Sequence, residues 1–366
     1  SCRVTWPTPV QESLLSETMG TVDRYWSNHF FLLREDVDLA RLRSAWAAVA
    51  SQNEALRAAF VPAAELDRID DELEYAVLQL IYAKPFLDWE EIECTEENFH
   101  EAVRSRVSRV MKDRQEKYFR YPPWAVTIYH RGSDRVLLLT LHHSIHDGTS
   151  LGYVFDDVQS SYVSEAPRRH QLVDALSSSE WIAKNSSDTV DFWRHELHEF
   201  SGTDAPAWPD LTNKRLPVGE APPRGFLFKQ QALAMTATQL QSRAIDLGVS
   251  SITTLLRTAW SFVVSCYLGA QATIVGETLS DRVLSPTFED IIGPLISVVP
   301  IPFIMRGTVR ELLAEQQRLS IEAWKHRHVH PRQVQKILGR QRGEALYSGI
   351  FTFHPSIKND QSQSSP

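Results

Sequence analysis

Val136-Leu-Leu-Leu-Thr-Leu-His142-His143-Ser144-Ile145-His146-Asp147-Gly148-Thr149-Ser150 is the stretch on which the reading of this chain turns. An apolar run ends in two histidines, and Asp147-Gly148 breaks it. Leu151, Val154, Phe155, Val158 and Tyr162 then recur at three- and four-residue steps, the spacing of a helix with one buried face. The stretch predicts strand, tight loop, helix. Side chains alternate faces along a strand, so His143 is expected to share a face with Leu137, Leu139 and Leu141 while His142 points the other way. Asp147 is placed to hold the loop by bonding to backbone donors or to a buried arginine. Imidazole, with an ordinary pKa of roughly 6.5, suits proton transfer near neutrality. No GxSxG elbow supplies a serine nucleophile, so His143 reads as the base or orienting group for an external nucleophile. On these residues alone, two satisfied core histidines are the alternative.

Outward from this stretch, strands and helices alternate. Phe30 to Leu33 and Tyr75 to Tyr82 read as strands, Leu39 to Ser51 and Glu97 to Arg114 as helices, and Glu65 to Glu74 as a solvated acidic loop. Trp124 to Tyr129 and Val136 to Leu141 flank Gly132-Ser133-Asp134, which predicts a hairpin. Glu165 to Ser187 is rich in Ser, Pro and charge and reads as a crossing between halves. The second half offers strands at Phe226 to Ala234, Ala272 to Gly276, Ile296 to Ile304 and Tyr347 to Phe353, and a helix at Val309 to His326. A further helix carries Ile252, Leu255, Leu256, Ala259, Trp260 and Val263, a face expected to be core, with Gly269 as its left-handed cap. The tail after Ile357 is polar. No Gly-rich dinucleotide fingerprint accompanies the alternation, so the expected class is α/β without a Rossmann cofactor site.

At roughly 150 residues per domain, 366 residues suggest two domains or one pseudo-duplicated unit. The formal charge of −8, from 38 basic against 46 acidic residues, argues against binding to a nucleic-acid backbone. Cys2, Cys94 and Cys266 form no CxxC pair and fit a reducing compartment, with the cytoplasm as the expected location. No run approaches the roughly 18 to 20 apolar residues of a membrane span, so no membrane partner is expected. His326, His328 and His330 alternate near a helix end but lack Cys or carboxylate companions, and no metal site is expected. The chain opens Ser1-Cys2-Arg3 with no initiator Met, which reads as a piece cut from something longer.

His142-His143-Ser144-Ile145-His146-Asp147-Gly148 resembles the HHxxxDG signature of condensation domains from nonribosomal peptide synthetases, in the chloramphenicol-acetyltransferase-like superfamily. Other resemblances follow in order. Thr8 to Leu15 is similar to the opening motif in its fungal form, and Asn53-Glu54-Ala55-Leu56-Arg57-Ala58-Ala59-Phe60 to RHExLRTxF. Asp191-Phe192-Trp193 matches the region after the crossover, and Gly276 to Arg282 resembles the segment ending SGR. Ile292 to Pro300 resembles GxxxNTxP, and His328-Val329-His330-Pro331 the QDxPF region. Coverage runs from about Pro7 to Pro355. Departures are Gln52-Asn53 in place of Arg-His, Asp281 in place of the Gly before Arg282, and Ser297 in place of Asn. The final motif region is missing, and 366 residues is short for the family, so a C-terminal portion is expected to be absent.

The resemblance implies two chloramphenicol-acetyltransferase-like lobes arranged as a V around a central tunnel. The expected division is residues 1–168 for the lobe carrying HHxxxDG, 169–190 for a crossover linker and 191–366 for the second lobe. It implies amide-bond formation: an acceptor amine attacks a donor thioester, both delivered on the 4'-phosphopantetheine of carrier domains, with no cofactor on the domain itself. An adjacent adenylation domain belongs to the same synthetase. His143 is assigned to the reaction centre with His142 in support, Asp147 to a structural ion pair with Arg282, and Gly148 to the loop where oxyanion donors sit. Ser297 and His146 are tunnel candidates; for His146, plain solvent exposure is the alternative. The fungal flavour points toward a hydroxamate-siderophore synthetase. Competing readings are a coenzyme-A-dependent acyltransferase, whose plant-type DFGWG motif is missing, a non-catalytic docking module, and a terminal cyclising variant.

Overall fold

Two compact units divide the chain: Ser1–Ser186 with Ser280–Ser297, and Ser187–Leu279 with Val298–Pro366. The structure, a computed structural model, describes residues 2–20, 23–63, 77–165, 167–173, 187–203, 208, 229–341 and 344–354.

The first unit runs β1 (Cys2–Thr5), α1 (Pro9–Gly20), β2 (Trp26–Leu33), α2 (Leu39–Gln52), β3 (Ala58–Pro62), β4 (Val77–Tyr82), β5 (Trp89–Cys94), α3 (Phe99–Glu116), β6 (Trp124–Arg131), β7 (Asp134–His142) and α4 (Gly148–Val163). A small antiparallel sheet has the order β1-β4-β3. The larger sheet has the order β2-β7-β6-β5, antiparallel except for the parallel pair β5 and β6. Gly132, at φ +60°, turns β6 directly into β7, with Arg131 opposite Asp134. That is the hairpin the turn residues predict.

Alternation along β7 sorts its side chains into two layers. Leu137, Leu139 and Leu141 enter a core with Leu42, Trp46 and Val49 of α2 and Val154 and Val158 of α4. Val136 and Leu138 pack on the other face with Phe99, Val103 and Val107 of α3. Helices thus cover both faces. The strand expected at Phe30 begins earlier, because β2 pairs with β7 from Trp26 opposite His142 onward. β5 carries three glutamates and gives no apolar alternation to read, yet pairs along its whole length with β6. The acidic stretch 65–74, Tyr75 and most of the crossing after Glu165 lie outside the described residues.

The second unit comprises α5 (Ser187–Glu196), α6 (Ala237–Asp246), α7 (Ile252–Leu268), β8 (Ala272–Ser280), β9 (Ile296–Ile304), α8 (Val309–Lys325), α9 (Pro331–Leu338) and β10 (Gly349–Phe351). The strand order is β10-β8-β9, with β10 parallel to β8. Ile274, Val299 and Ile301 pack against Trp193, Leu197, Ala323, Val334 and Leu338. Residues 226–228 of the expected strand at Phe226 to Ala234 lie outside the described residues; the remainder, 229–234, is exposed and forms no strand, having no ladder partner among the described residues.

α7 overturns one expectation. Gly269 caps it at φ +61°, but the helix is rotated so that Thr254, Arg257, Thr258, Ser261 and Ser265 are buried while Trp260 and Val263 are 40% and 42% exposed. Hydrogen-bonding demand decides the rotation. The Arg257 guanidinium pairs with Glu277 of β8 and donates to the Gln316 carbonyl (3.0 Å) and to Ser320 Oγ (2.9 Å) of α8. Thr254 meets Ser320 at 3.1 Å and Ser265 meets Thr273 at 3.0 Å. A guanidinium without partners in the interior costs more than an apolar ring left half in water.

Two substitutions test this rotation. Arg257→Ala strands the buried Glu277 carboxylate and should lower the unfolding free energy by about 3 to 5 kcal/mol. Phe262→Gln, on the outward face, should change it by less than about 1 kcal/mol, both read from urea unfolding.

Candidate active site

β7 ends at His142, and His143–Ile145 form a single 3-10 turn that leads into α4. Strand alternation therefore stops at His142, and His143 does not continue the row of Leu137, Leu139 and Leu141 as its spacing predicts. The three histidines of the motif take three different environments.

His142 is fully buried, between the rings of Trp26 (5.1 Å) and Phe119 (5.3 Å). Its Nδ1 accepts from the Ser144 backbone N–H (3.1 Å) and faces the Ser144 hydroxyl (2.9 Å). A backbone N–H only donates, so Nδ1 carries the lone pair and Nε2 the proton. Nε2 donates to Thr18 Oγ1 (2.8 Å), which donates to the Leu14 carbonyl (2.8 Å). Burial, then the neighbouring histidines, push its pKa down to about 3. His142 is a neutral strut whose hydrogen bonds are all made.

His143 is half-buried. Its backbone N–H donates to the Tyr25 carbonyl (2.8 Å), and Tyr25 stands in the left-handed region at φ +62° just before β2. Its Nδ1 lies 2.7 Å from the His146 carbonyl oxygen. A carbonyl only accepts, so Nδ1 bears a proton, and in the neutral ring Nε2 presents a lone pair. Among the described residues no group hydrogen-bonds Nε2. This is the arrangement of a base whose orientation is set by its own loop.

His146 is 5% exposed, so plain solvent exposure is ruled out. Its Nδ1 donates to the His142 carbonyl (3.1 Å), its Nε2 lies 3.4 Å from Ser27 Oγ, and its ring stacks on that of His143 at 5.1 Å. Burial first, and its proximity to His143 second, push its pKa down to about 3.

Asp147 caps α4. One carboxylate oxygen accepts the Ser150 N–H (2.8 Å), and the Ser150 hydroxyl accepts the Asp147 N–H (2.8 Å). Such reciprocal capping satisfies donors that the first helical turn leaves open. Both oxygens also lie 2.9 Å from Arg282 Nη2, and one accepts the Leu295 N–H (3.1 Å). Arg282 continues through the carbonyls of Ile291 (2.8 Å), Gly293 (3.1 Å), Glu289 (3.2 Å) and Phe288 (3.3 Å), so one guanidinium shapes the segment from Arg282 to Leu295. Gly293 stands at φ +145°, and a Cβ there would meet Leu172 at 2.9 Å. Gly148, the first residue of α4, is exposed.

The two departures from the family pattern near Arg282 meet each other: Ser297 Oγ donates to buried Asp281 at 3.1 Å. Ser297 is itself buried. Gln11 lies in the opening motif, which gives it no role of its own; its Nε2 donates to the Ser144 carbonyl at 2.8 Å and ties α1 to the histidine loop. Thr18 and Ser27 are not marked in the sequence, because their partners lie more than a hundred residues away and no local pattern marks them. His326 stacks on Phe192 at 4.4 Å, and His330 caps α9. Among the described residues, no three His, Cys, Asp or Glu gather in a way that would hold a metal ion. No helix among them is long and apolar enough to cross a membrane.

Comparison with known proteins now decides the family. The model of the condensation domain matches residues 6–366. The chain belongs to the condensation-domain family. Nonribosomal peptide synthetase sidC of Aspergillus fumigatus is 47% identical over 351 residues, which is 95% of this chain and 7% of that protein. The ferrichrome siderophore peptide synthetase of Mycosarcoma maydis is 25% identical over 365 residues, covering 95% of this chain and 9% of that protein. The domain thus spans less than a tenth of these relatives. The condensation domain of the Monacolin K polyketide synthase MokA superposes with a TM-score of 0.67 at 14% identity, covering 96% of this chain and 78% of that one. The fold is accordingly the chloramphenicol-acetyltransferase-like α/β fold of condensation domains.

The buried ion pair sets an expectation for stability. Asp147→Ala leaves Arg282 without its carboxylate and removes the cap of α4, and should cost about 3 to 5 kcal/mol in urea unfolding. His142 and His146 set a pH dependence. Both are neutral in the folded domain with pKa values near 3, whereas the unfolded chain binds their protons below about 6.5. Their stabilisation is therefore complete above about pH 6.5 and is lost as pH falls toward 3, at up to about 1.4 kcal/mol per pH unit for each. The urea midpoint should drop between pH 7 and pH 5, and His142→Asn should make that drop shallower.

Proposed function

We propose that the domain forms an amide bond between substrates carried as thioesters, with His143 Nε2 as the group that handles the amine proton. The observation that carries this reading is the hydrogen bond from His143 Nδ1 to the His146 carbonyl, which makes Nε2 the nitrogen that bears the lone pair of the neutral ring, with no competing partner among the described residues. A free amino group has a pKa near 7.7 to 8.0 and attacks only when deprotonated. The acceptor amine adds to the thioester carbonyl carbon, and its proton passes to Nε2. The tetrahedral intermediate collapses with cleavage of the C–S bond, and the proton returns to the departing sulfur. A positioned base contributes roughly 100- to 10,000-fold.

The remaining residues support that centre. Asp147 and Arg282 hold the loop between the 3-10 turn and α4, and His142 anchors the turn from behind. The backbone N–H groups of Gly148 and Thr149, at the start of α4, are the oxyanion donors in this reading, because the first turn of a helix leaves them open and glycine permits close approach. Donor and acceptor arrive on the phosphopantetheine arms of carrier domains, within a fungal synthetase that also carries an adenylation domain and works in the cytoplasm. The similarity to the Mycosarcoma maydis ferrichrome siderophore peptide synthetase favours a peptide siderophore as product.

Loading carrier domains with donor and acceptor thioesters and following chain transfer by intact-protein mass spectrometry tests the reading. His143→Ala should keep the wild-type melting temperature and lose at least about 100-fold in transfer rate. Unchanged transfer by that variant would sink the assignment.

A further inference from the structure

We propose that His146 is a positioning residue of this reaction: its ring backs the His143 ring by stacking and closes the turn that presents His143 Nε2. The inference deepens the reading of His143 given above and rests on it.

Residues 142 to 146 form a closed loop of contacts. His143 Nδ1 donates to the His146 carbonyl (2.7 Å), and His146 Nδ1 donates back to the His142 carbonyl (3.1 Å). The rings of His143 and His146 lie 5.1 Å apart and within 27° of parallel, so the face of one is covered by the other. His143 has few other restraints on its ring. Its remaining hydrogen bond is made by the backbone, to Tyr25. His146 is by contrast fixed on several sides, 5% exposed, with Ser27 of β2 at 3.4 Å. A half-buried ring thus rests on a buried one that is held on several sides.

The stacked ring also suits the chemistry. When His143 takes the amine proton, its ring becomes a cation, and an aromatic face beside it is a favourable neighbour. A second cation there would be repulsive. His146 resists protonation, with burial holding its pKa at about 3, so it stays an uncharged face throughout turnover. Losing the ring frees His143 to tilt. A misplacement of about 1 Å at a reacting centre costs about 100-fold.

The test compares His146→Ala, which removes the ring, with His146→Phe, which keeps a ring but lacks the nitrogen that bonds the His142 carbonyl. Carrier-to-carrier transfer is measured as kcat and as KM for the acceptor. His146→Ala should lose about 100-fold in kcat with KM nearly unchanged, and His146→Phe should recover at least about tenfold of that loss. Should His146→Ala fail to fold, His146→Asn serves as the ringless variant, because its amide can still donate to the His142 carbonyl. Wild-type kcat in the ringless variant, a loss confined to KM, or a Phe variant no faster than the ringless one overturns the inference. A wild-type domain with no transfer, or a His143→Ala domain that keeps it, removes the reading at His143 and this inference with it. A working wild type with an indifferent His146 removes the inference alone.

Discussion

The ion pair between Asp147 and Arg282 is the constraint on which the site depends. A guanidinium cannot shed its charge, so once it leaves water it must be met by a carboxylate and a full set of acceptors. Here the carboxylate comes from the cap of α4, and the acceptors are carbonyls between Phe288 and Gly293. The same carboxylate receives the N–H groups of Ser150 and Leu295. One charge pair therefore fixes where a helix starts and how a segment some 140 residues further on is folded. That segment has little regular structure of its own, and without the pair its carbonyls would have to find other donors.

The histidine loop is held in a different way. His142 makes neutral hydrogen bonds on both ring nitrogens, and its burial opposes protonation. Gln11 holds the Ser144 carbonyl from α1, and Tyr25 receives the His143 N–H from a strained backbone position. These partners come from separate parts of the first unit. Rigid supports of this kind let one imidazole remain half-exposed and still point in a fixed direction.

Much of this was legible in advance. The strand, loop and helix around His142 to Tyr162 follow from an apolar run, Asp-Gly chemistry and helical spacing, all of which are local. The hairpin at Gly132 and the cap at Gly269 follow from glycine's access to positive φ. The Arg282 partnership was available through family resemblance, since no spacing rule joins residues 135 apart. The outward apolar face of α7 was not legible. Its periodicity marks two stripes, and the amphipathic rule assigns the apolar one to the interior, but the buried Arg257 and Glu277 pair made the polar stripe the inward one.

Sequence alone determined the class of fold and the order of most elements and singled out His143, Asp147 and Arg282 as candidates, because these rest on short-range pattern and on ordered motifs. Tertiary structure alone decided which nitrogen of His143 is free, that His146 is buried against it, and that Asp281 and Ser297, each unusual for the family, satisfy one another. The physical reason is the reach of the interactions. Strand alternation, helical spacing and turn propensity act within a few residues. A tautomer, a ring stack or a buried hydrogen bond is set by whichever groups the folded chain brings within about 3 to 5 Å, the range over which hydrogen bonds and ring contacts act.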